Sequence, residues 1–292
     1  MTKEISKVEK QRIPWFWPVT STIALLLSFS FYANHKLWQR AKDHYIGANA
    51  TRLDPVGLKA FADSEIPATS ELTRVVFFGD SRAASWPSPI REATNQTRNV
   101  EFFNRGLGSQ TSTQALQRFQ THVVPLRPDV VIIQIGINDI KAIGLFPKQT
   151  STILSEVVAN IEQIVKQAEA TGAVVVLSSI FPIGEVTWAK QLSVRSRPFW
   201  LSNTINPAVA TVNQSLKTLV SVQNNDSVIW FDSSSLLIDE TGKISRDYLI
   251  DELHLNEKGY AILNQALSER LQSLTPTVEV TKPLTAQEND LK

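Results

Sequence analysis

The chain has no cysteine and only four histidines among its 292 residues. The missing cysteines exclude disulfides, thiolate zinc sites and a cysteine nucleophile together. They leave the compartment open, because a cysteine-free protein tolerates oxidising and reducing surroundings alike. No two of His35, His44, His122 and His254 stand at metal-ligand spacing, so neither a histidine-rich metal site nor a cofactor is expected. Charge is equally sparse: the formal net value is +1 and no long basic run occurs, which leaves no field to attract nucleic acid. No internal repeat is found. With 42% hydrophobic residues, a chain of this length can bury a core in one or two domains.

Asp, Glu, Lys and Arg are also absent between Arg12 and Lys36. At about 1.5 Å per residue, a helix of that length crosses a bilayer core of roughly 30 Å. Trp15 and Trp17 at one end and Tyr32 and Trp38 near the other stand where interfacial anchors would. Pro14 and Pro18 confine the expected regular helix to residues after about Trp17. A single-pass signal anchor over residues 13–35 is the preferred reading. A cleaved signal peptide comes second, since no Ala-x-Ala site directly follows the apolar core, and a buried core helix comes third. The basic residues on either side set no clear orientation; the expectation is an amino terminus inside and the bulk of the chain outside. Residues 1–12 read as a short tail and residues 36–72 as a juxtamembrane connector with room for one short helix.

From residue 73 an alternating pattern begins. Apolar runs predict strands at Arg74–Phe78, Val100–Phe103, Val130–Ile135, Ala173–Leu177 and Val228–Phe231. Thr111-Ser112-Thr113-Gln114 has capping-box spacing and opens a helix that ends before Pro125. Apolar positions from Leu154 to Ala168 predict a helix over Thr152–Thr171 with Gly172 as its cap. Further helices are expected at Ile205–Val220 and along Tyr260, Leu263, Leu267 and Leu271. Strands alternating with helices imply a parallel sheet covered on both faces, which makes the fold class α/β. Residues 274–292 read as a disordered tail.

Four short blocks fall at the predicted strand ends, where open α/β sheets collect their chemistry. Gly79-Asp80-Ser81 follows a buried strand and presents a hydroxyl. Asn104-Arg105-Gly106-Leu107-Gly108-Ser109 lets backbone N–H groups approach a ligand; it lacks the third glycine of a dinucleotide fingerprint. Gly136-Ile137-Asn138-Asp139 offers a side-chain amide to a developing oxyanion. Asp251-Glu252-Leu253-His254 places a carboxylate and an imidazole on one turn, so that Asp251 can fix the tautomer of a base. Each block alone also reads as an ordinary turn or cap. Together they supply a nucleophile, oxyanion donors and an acid–base pair.

On these four blocks the chain resembles the SGNH hydrolases, the GDSL-type esterases and lipases, over roughly residues 73–273. The resemblance implies a three-layer α/β/α, flavodoxin-like domain on a parallel five-stranded sheet, here preceded by a transmembrane helix. It implies hydrolysis through an acyl-serine intermediate, with Ser81 attacking, His254 as base and Asp251 orienting it. The oxyanion would be held by the N–H of Ser81, an N–H of Gly108 or Ser109, and the Asn138 amide. Ser109 stands where the family commonly has the donating glycine. No Gly-x-Ser-x-Gly occurs, which argues against the other large serine-esterase fold. Arg82, beside the hydroxyl, reads either as a substrate-binding cation or as half of a surface ion pair. Trp188 and Trp200, in the connection from Pro182 to Asn203, are candidates for contacting an acyl chain or a sugar, or for packing on the domain. The expected partners are an acyl-ester substrate, a lipid or an acylated glycan, and a membrane through the amino-terminal helix. An O-acyltransferase using the same site, and a non-catalytic glycan-binding or scaffold protein, are the rival functions.

Overall fold

The computed structural model describes residues 16–64, 72–89, 100–185, 200–223, 225–240 and 242–274. The chain divides into two compact units, Met1–Pro55 and Val56–Lys292.

The first unit is one helix, α1, Phe16–Leu53, of 38 residues. It starts ahead of Pro18, which lies in the first turn, where a missing N–H costs no helical bond. It also continues past Lys36 without a break, so the expected connector is helical as far as Leu53. At 1.5 Å per residue it spans about 57 Å, longer than a bilayer core of roughly 30 Å. None of its residues is buried. What is present is one long apolar helix near the amino terminus, fitting a membrane anchor or a signal sequence.

The second unit is the α/β domain. Its strands are β1 (Thr73–Gly79), β2 (Val100–Gly106), β3 (Val130–Gln134), β4 (Val174–Ser178) and β5 (Val228–Phe231), joined in the order β2-β1-β3-β4-β5. Every pairing is parallel. The helices are α2 (Ser81–Ala84), α3 (Ser112–His122), α4 (Ile137–Lys141), α5 (Thr150–Glu169), α6 (Trp200–Gln223), α7 (Ser233–Leu237) and α8 (Glu257–Leu274). Along β1 the side chains alternate between two cores. Val76 and Phe78 join the one that includes Phe119, Ile161 and Val212, from α3, α5 and α6. Val75 and Phe77 join the other, with Trp86, Leu237 and Leu263. Strands apolar on both faces therefore have both faces covered, which is the three-layer arrangement.

Several boundaries follow local rules. The capping box of α3 is complete: Thr111 accepts from the Gln114 N–H and the Gln114 side chain returns to the Thr111 N–H. Gly172, just past α5, takes φ +84°, as a glycine at a helix end does. Strand β2 runs three residues beyond its apolar part, because Asn104, Arg105 and Gly106 pair with Phe77, Phe78 and Gly79. The expected disordered tail lies outside the described residues, except that α8 reaches Leu274.

Strand order reverses at β1, whose neighbours β2 and β3 continue the chain on opposite sides. A crevice opens at such a switch point. Gly79 pairs with Gly106 on one side and Gln134 on the other. A β-carbon on Gly79 would lie 1.7 Å from the Gln134 carbonyl oxygen, so no other residue fits. Gly79→Ala should therefore destabilise the domain by about 3 kcal/mol, the upper end for overpacking a core. Chemical denaturation would measure this, and a loss below 1 kcal/mol would show that the two strands separate readily.

Candidate active site

The first block turns directly from β1 into α2. Asp80 is the N-cap: it is fully buried and its Oδ1 accepts from the Arg82 N–H at 2.9 Å. Burial raises its carboxyl pKa, opposed by the neighbouring Arg82 guanidinium and N–H. Asp80 thus braces the turn that presents Ser81.

The fourth block reaches Ser81 from far along the chain. His254 Nε2 is 3.1 Å from Ser81 Oγ, and His254 Nδ1 is 2.9 Å from each Asp251 oxygen. Asp251 Oδ1 also accepts the N–H groups of Leu253 and His254, each at 2.8 Å. Burial pushes the Asp251 carboxyl up, and these bonds from the His254 ring and the two N–H groups outweigh it, bringing the group to about 2. The loop is closed by a bridge between Leu249 and Leu255 and by the Ile250 N–H donating to the His254 carbonyl. With Nδ1–H donated to the carboxylate, Nε2 is free to accept the serine proton.

Arg82 holds this loop against the helix of Ser81. It is fully buried, and it donates through Nε to the Leu253 carbonyl at 3.0 Å, through one terminal nitrogen to the Phe181 carbonyl, and through the other to the Pro182 carbonyl at 3.2 Å. Its guanidinium carbon sits 4.3 Å from the centre of the Phe181 ring. Burial lowers its pKa to about 10, opposed by Asp80, Tyr260 and Asp251, so it remains a cation at neutral pH. All three nitrogens are spent on the protein's own backbone, which corrects the expectation of a substrate-binding or surface arginine. The segment that carries the Phe181 and Pro182 carbonyls is itself held on either side. Asn213 exchanges two bonds with the Ile180 backbone, and Asn206 does the same with Ile183.

The second block lies beside the serine. Gly108 approaches so closely that a β-carbon on it would be 4.0 Å from Ser81 Cβ. Ser109 has φ +64°, a left-handed conformation costing a non-glycine residue on the order of 1–3 kcal/mol. That strain was foreshadowed by the serine standing where the family commonly has glycine. Asn104 donates to the Ala83 carbonyl at 2.8 Å and accepts from the Gly106 N–H at 2.9 Å, securing the end of α2. From the third block, Asn138 Nδ2 donates to the Gln110 carbonyl at 2.9 Å, keeping a second N–H for another acceptor. Asp139 accepts from the Ser112 N–H at 2.8 Å and hydroxyl at 2.8 Å, joining this block to the start of α3. The structure thus gathers Ser81, Asp251 and His254, sets Gly108 against Ser81, and ties Asn138 to the loop that carries Ser109. Trp188 lies outside the described residues, and Trp200 is described only as the start of α6.

The model of the GDSL-like Lipase/Acylhydrolase family matches residues 71–262. The chain belongs to that family. A GDSL-like lipase from Bacteroides thetaiotaomicron aligns over 75% of this chain and 99% of that one, at 20% identity and a TM-score of 0.56. The acetylxylan esterase Axe2 from Geobacillus stearothermophilus aligns over 70% and 96%, at 15% identity and a TM-score of 0.53. The aryl esterase of M. smegmatis aligns over 70% and 100%, at 20% identity and a TM-score of 0.51. At these identities the likeness is one of fold. No curated protein matches this GDSL-like hydrolase. The family is one of carboxylic ester hydrolases, so an acyl ester is its class of substrate.

Two outcomes follow for this GDSL-like hydrolase. Arg82→Lys, which reaches at most part of the three-carbonyl cluster, should cost roughly 3 kcal/mol of stability through unpaired buried carbonyls. A melt within error of wild type would show the cluster to be dispensable. Burial pushes the Asp139 carboxyl up to about 6, against the hydrogen bonds from Ser112. Its folded pKa exceeds the unfolded value of about 3.9, so the stabilisation from protonating it is complete below that pH and lost as pH rises to about 6. The melting temperature of wild type minus that of Asp139→Asn should therefore fall between about pH 4 and pH 6 and then level. A difference that stays flat across this window would contradict the raised pKa.

Proposed function

We propose that the protein is a serine esterase, and the observation that carries the proposal is the unbroken contact chain Ser81–His254–Asp251. In this reading Ser81 Oγ attacks the carbonyl carbon of an ester while His254 Nε2 takes the hydroxyl proton. The oxyanion forms among the Ser81 N–H, an N–H of Gly108 or Ser109, and the free N–H of Asn138. Collapse breaks the bond to the alcohol, which leaves with the proton from His254. Water, deprotonated by the same nitrogen, then releases the acid from the acyl-serine. Asp251 fixes the tautomer throughout, and a carboxyl held at about 2 stays ionised at any pH where the enzyme would work.

The reading extends to location and substrate class. The long apolar helix supports a single-pass anchor with the catalytic unit outside the cytoplasm, acting on a lipid or carbohydrate ester of that compartment. Acetylxylan esterases among the proteins of similar fold favour the carbohydrate side.

Labelling with an organophosphonate and assay with a short-chain activated ester test the chemistry. Wild type should become phosphonylated at Ser81. Ser81→Ala should abolish hydrolysis with its melt unchanged, and Asp251→Asn should lower kcat by about 10⁴-fold, as loss of the tautomer-fixing acid does in serine proteases. Hydrolysis persisting in Ser81→Ala would sink the assignment. Product analysis with an acetylated glycan then separates hydrolysis from transfer: free acetate released at a rate indifferent to added acceptor supports the esterase, and acceptor-dependent ester formation supports an acyltransferase.

A further inference from the structure

The loop carrying Gly108 and Ser109 ends at Gln110, a residue of no family block, and Gln110 is 6% exposed. Its backbone carbonyl receives the Asn138 amide at 2.9 Å. Its side-chain oxygen accepts from Arg118 Nε, and its side-chain nitrogen donates to the Val56 carbonyl at 2.7 Å. Arg118, fully buried, goes on to the Gly79 carbonyl at 2.8 Å and the Arg105 carbonyl at 2.9 Å. One glutamine therefore joins three things: the oxyanion amide, the strand end that presents Ser81, and the segment at the start of the second unit.

That segment is built to fit. Gly57 has φ +74°, and a β-carbon there would lie 2.9 Å from both Gln110 Nε2 and Leu107 Cδ1. The dihedral calls for glycine, and a β-carbon there would press on the end of the Gln110 side chain. Beyond it, the Leu58 carbonyl lies 3.1 Å from His122 Nε2. The Phe61 ring meets His122 edge-on at 5.0 Å and covers the Arg105 guanidinium at 4.5 Å. These residues precede the family match, which starts at residue 71. A buried amide with both ends engaged is a spacer of fixed length. Its neighbour Ser109 keeps a left-handed conformation, which persists only where the surroundings over-determine it.

We propose that Gln110 is a positioning residue for the oxyanion donors, and that the Val56–Phe61 segment capping it is a working part of the hydrolase rather than linker. The inference rests on the esterase reading above. Gln110 touches no reacting atom. It acts through Asn138, which it holds by its carbonyl, and through Ser109, to which it is bonded. Donors aimed at an oxyanion help only when held in place, and a displacement of about 1 Å can cost on the order of 100-fold in rate.

The test uses the full-length chain and two variants, Gln110→Ala and Gly57→Ala. The readouts are phosphonate labelling of Ser81, kcat and KM for an activated ester, and inhibition by a trifluoromethyl ketone, whose adduct carries a tetrahedral oxyanion. Gln110→Ala should lower kcat by about 10- to 100-fold with KM within about twofold, and weaken the ketone by the same factor. Gly57→Ala alters no group at the site, yet should shift both in the same direction by several-fold. It decides alone where Gln110→Ala does not fold. A merely structural role would reduce the active fraction and leave the inhibition constant unchanged. A labelled, active wild type whose inhibition constant is matched by both variants overturns this inference alone. A wild type that takes no phosphonate at Ser81 overturns the esterase reading, and the inference with it.

Discussion

Everything at the site depends on one buried cation whose ligands are backbone carbonyls. Arg82 follows Ser81 in sequence, so whatever Arg82 grips is held in register with the serine. It grips the Leu253 carbonyl, one residue before His254, and the two carbonyls after β4. Among the described side chains no carboxylate lies within ion-pair reach of it. Its solvation is replaced by oriented peptide dipoles, an arrangement that survives only in a rigid frame. Tyr260 closes that frame by donating to the Arg82 carbonyl at 2.9 Å, and Trp86 adds a bond from its ring nitrogen to Asn264 at 2.8 Å. Both reach α8, so the helix after His254 is fastened at two points to α2 and the residues just past it.

The sheet supplies the other half of the geometry. Parallel strands of unequal neighbours end together, and the glycines at those ends let backbones meet without side chains between them. A β-carbon on Gly106 would fall 2.2 Å from the Ala84 nitrogen, just as Gly79 leaves no space against Gln134. Glycine here is a demand of separation between chains. The loop after Gly106 can then run beside Ser81, and the amide of Asn138 can meet it from β3.

Much of this was legible in the residues. Apolar runs of β1 and β3 declare central strands because both faces are buried, and the α3 capping box is a local device that needs no partner. Three of the four blocks were readable because they stand at strand ends, and the fourth, well past β5, because its carboxylate and imidazole share one turn before the closing helix. Four features were not. Strand β2 continues through Asn104 and Arg105 because ladder hydrogen bonds belong to the backbone, and polar side chains at a partly exposed edge hide the pairing. Helix α1 continues past Lys36 because, without a tertiary face to bury, charged residues are as acceptable there as apolar ones. Arg82 was misplaced on the surface because its partners lie about a hundred residues or more away, at 181, 182 and 253, and no local pattern announces a carbonyl cluster. Gln110 escaped for the same reason: its sequence neighbours are polar and loop-like, while Val56 and Arg118 become its partners only on folding.

The span of these contacts has a consequence for synthesis. Ser81 and His254 are separated by 173 positions, and the Tyr260 and Asn264 bonds close loops of 178. A chain emerging from the ribosome completes β1 to β4 while the imidazole is still to be made. In the mechanism proposed above the serine is therefore synthesised long before its base, and because a domain folds as a unit, competence waits for the helix that follows His254. The proposed esterase is by the same token silent throughout its synthesis, and becomes competent as the last element of the sheet-and-helix sandwich closes.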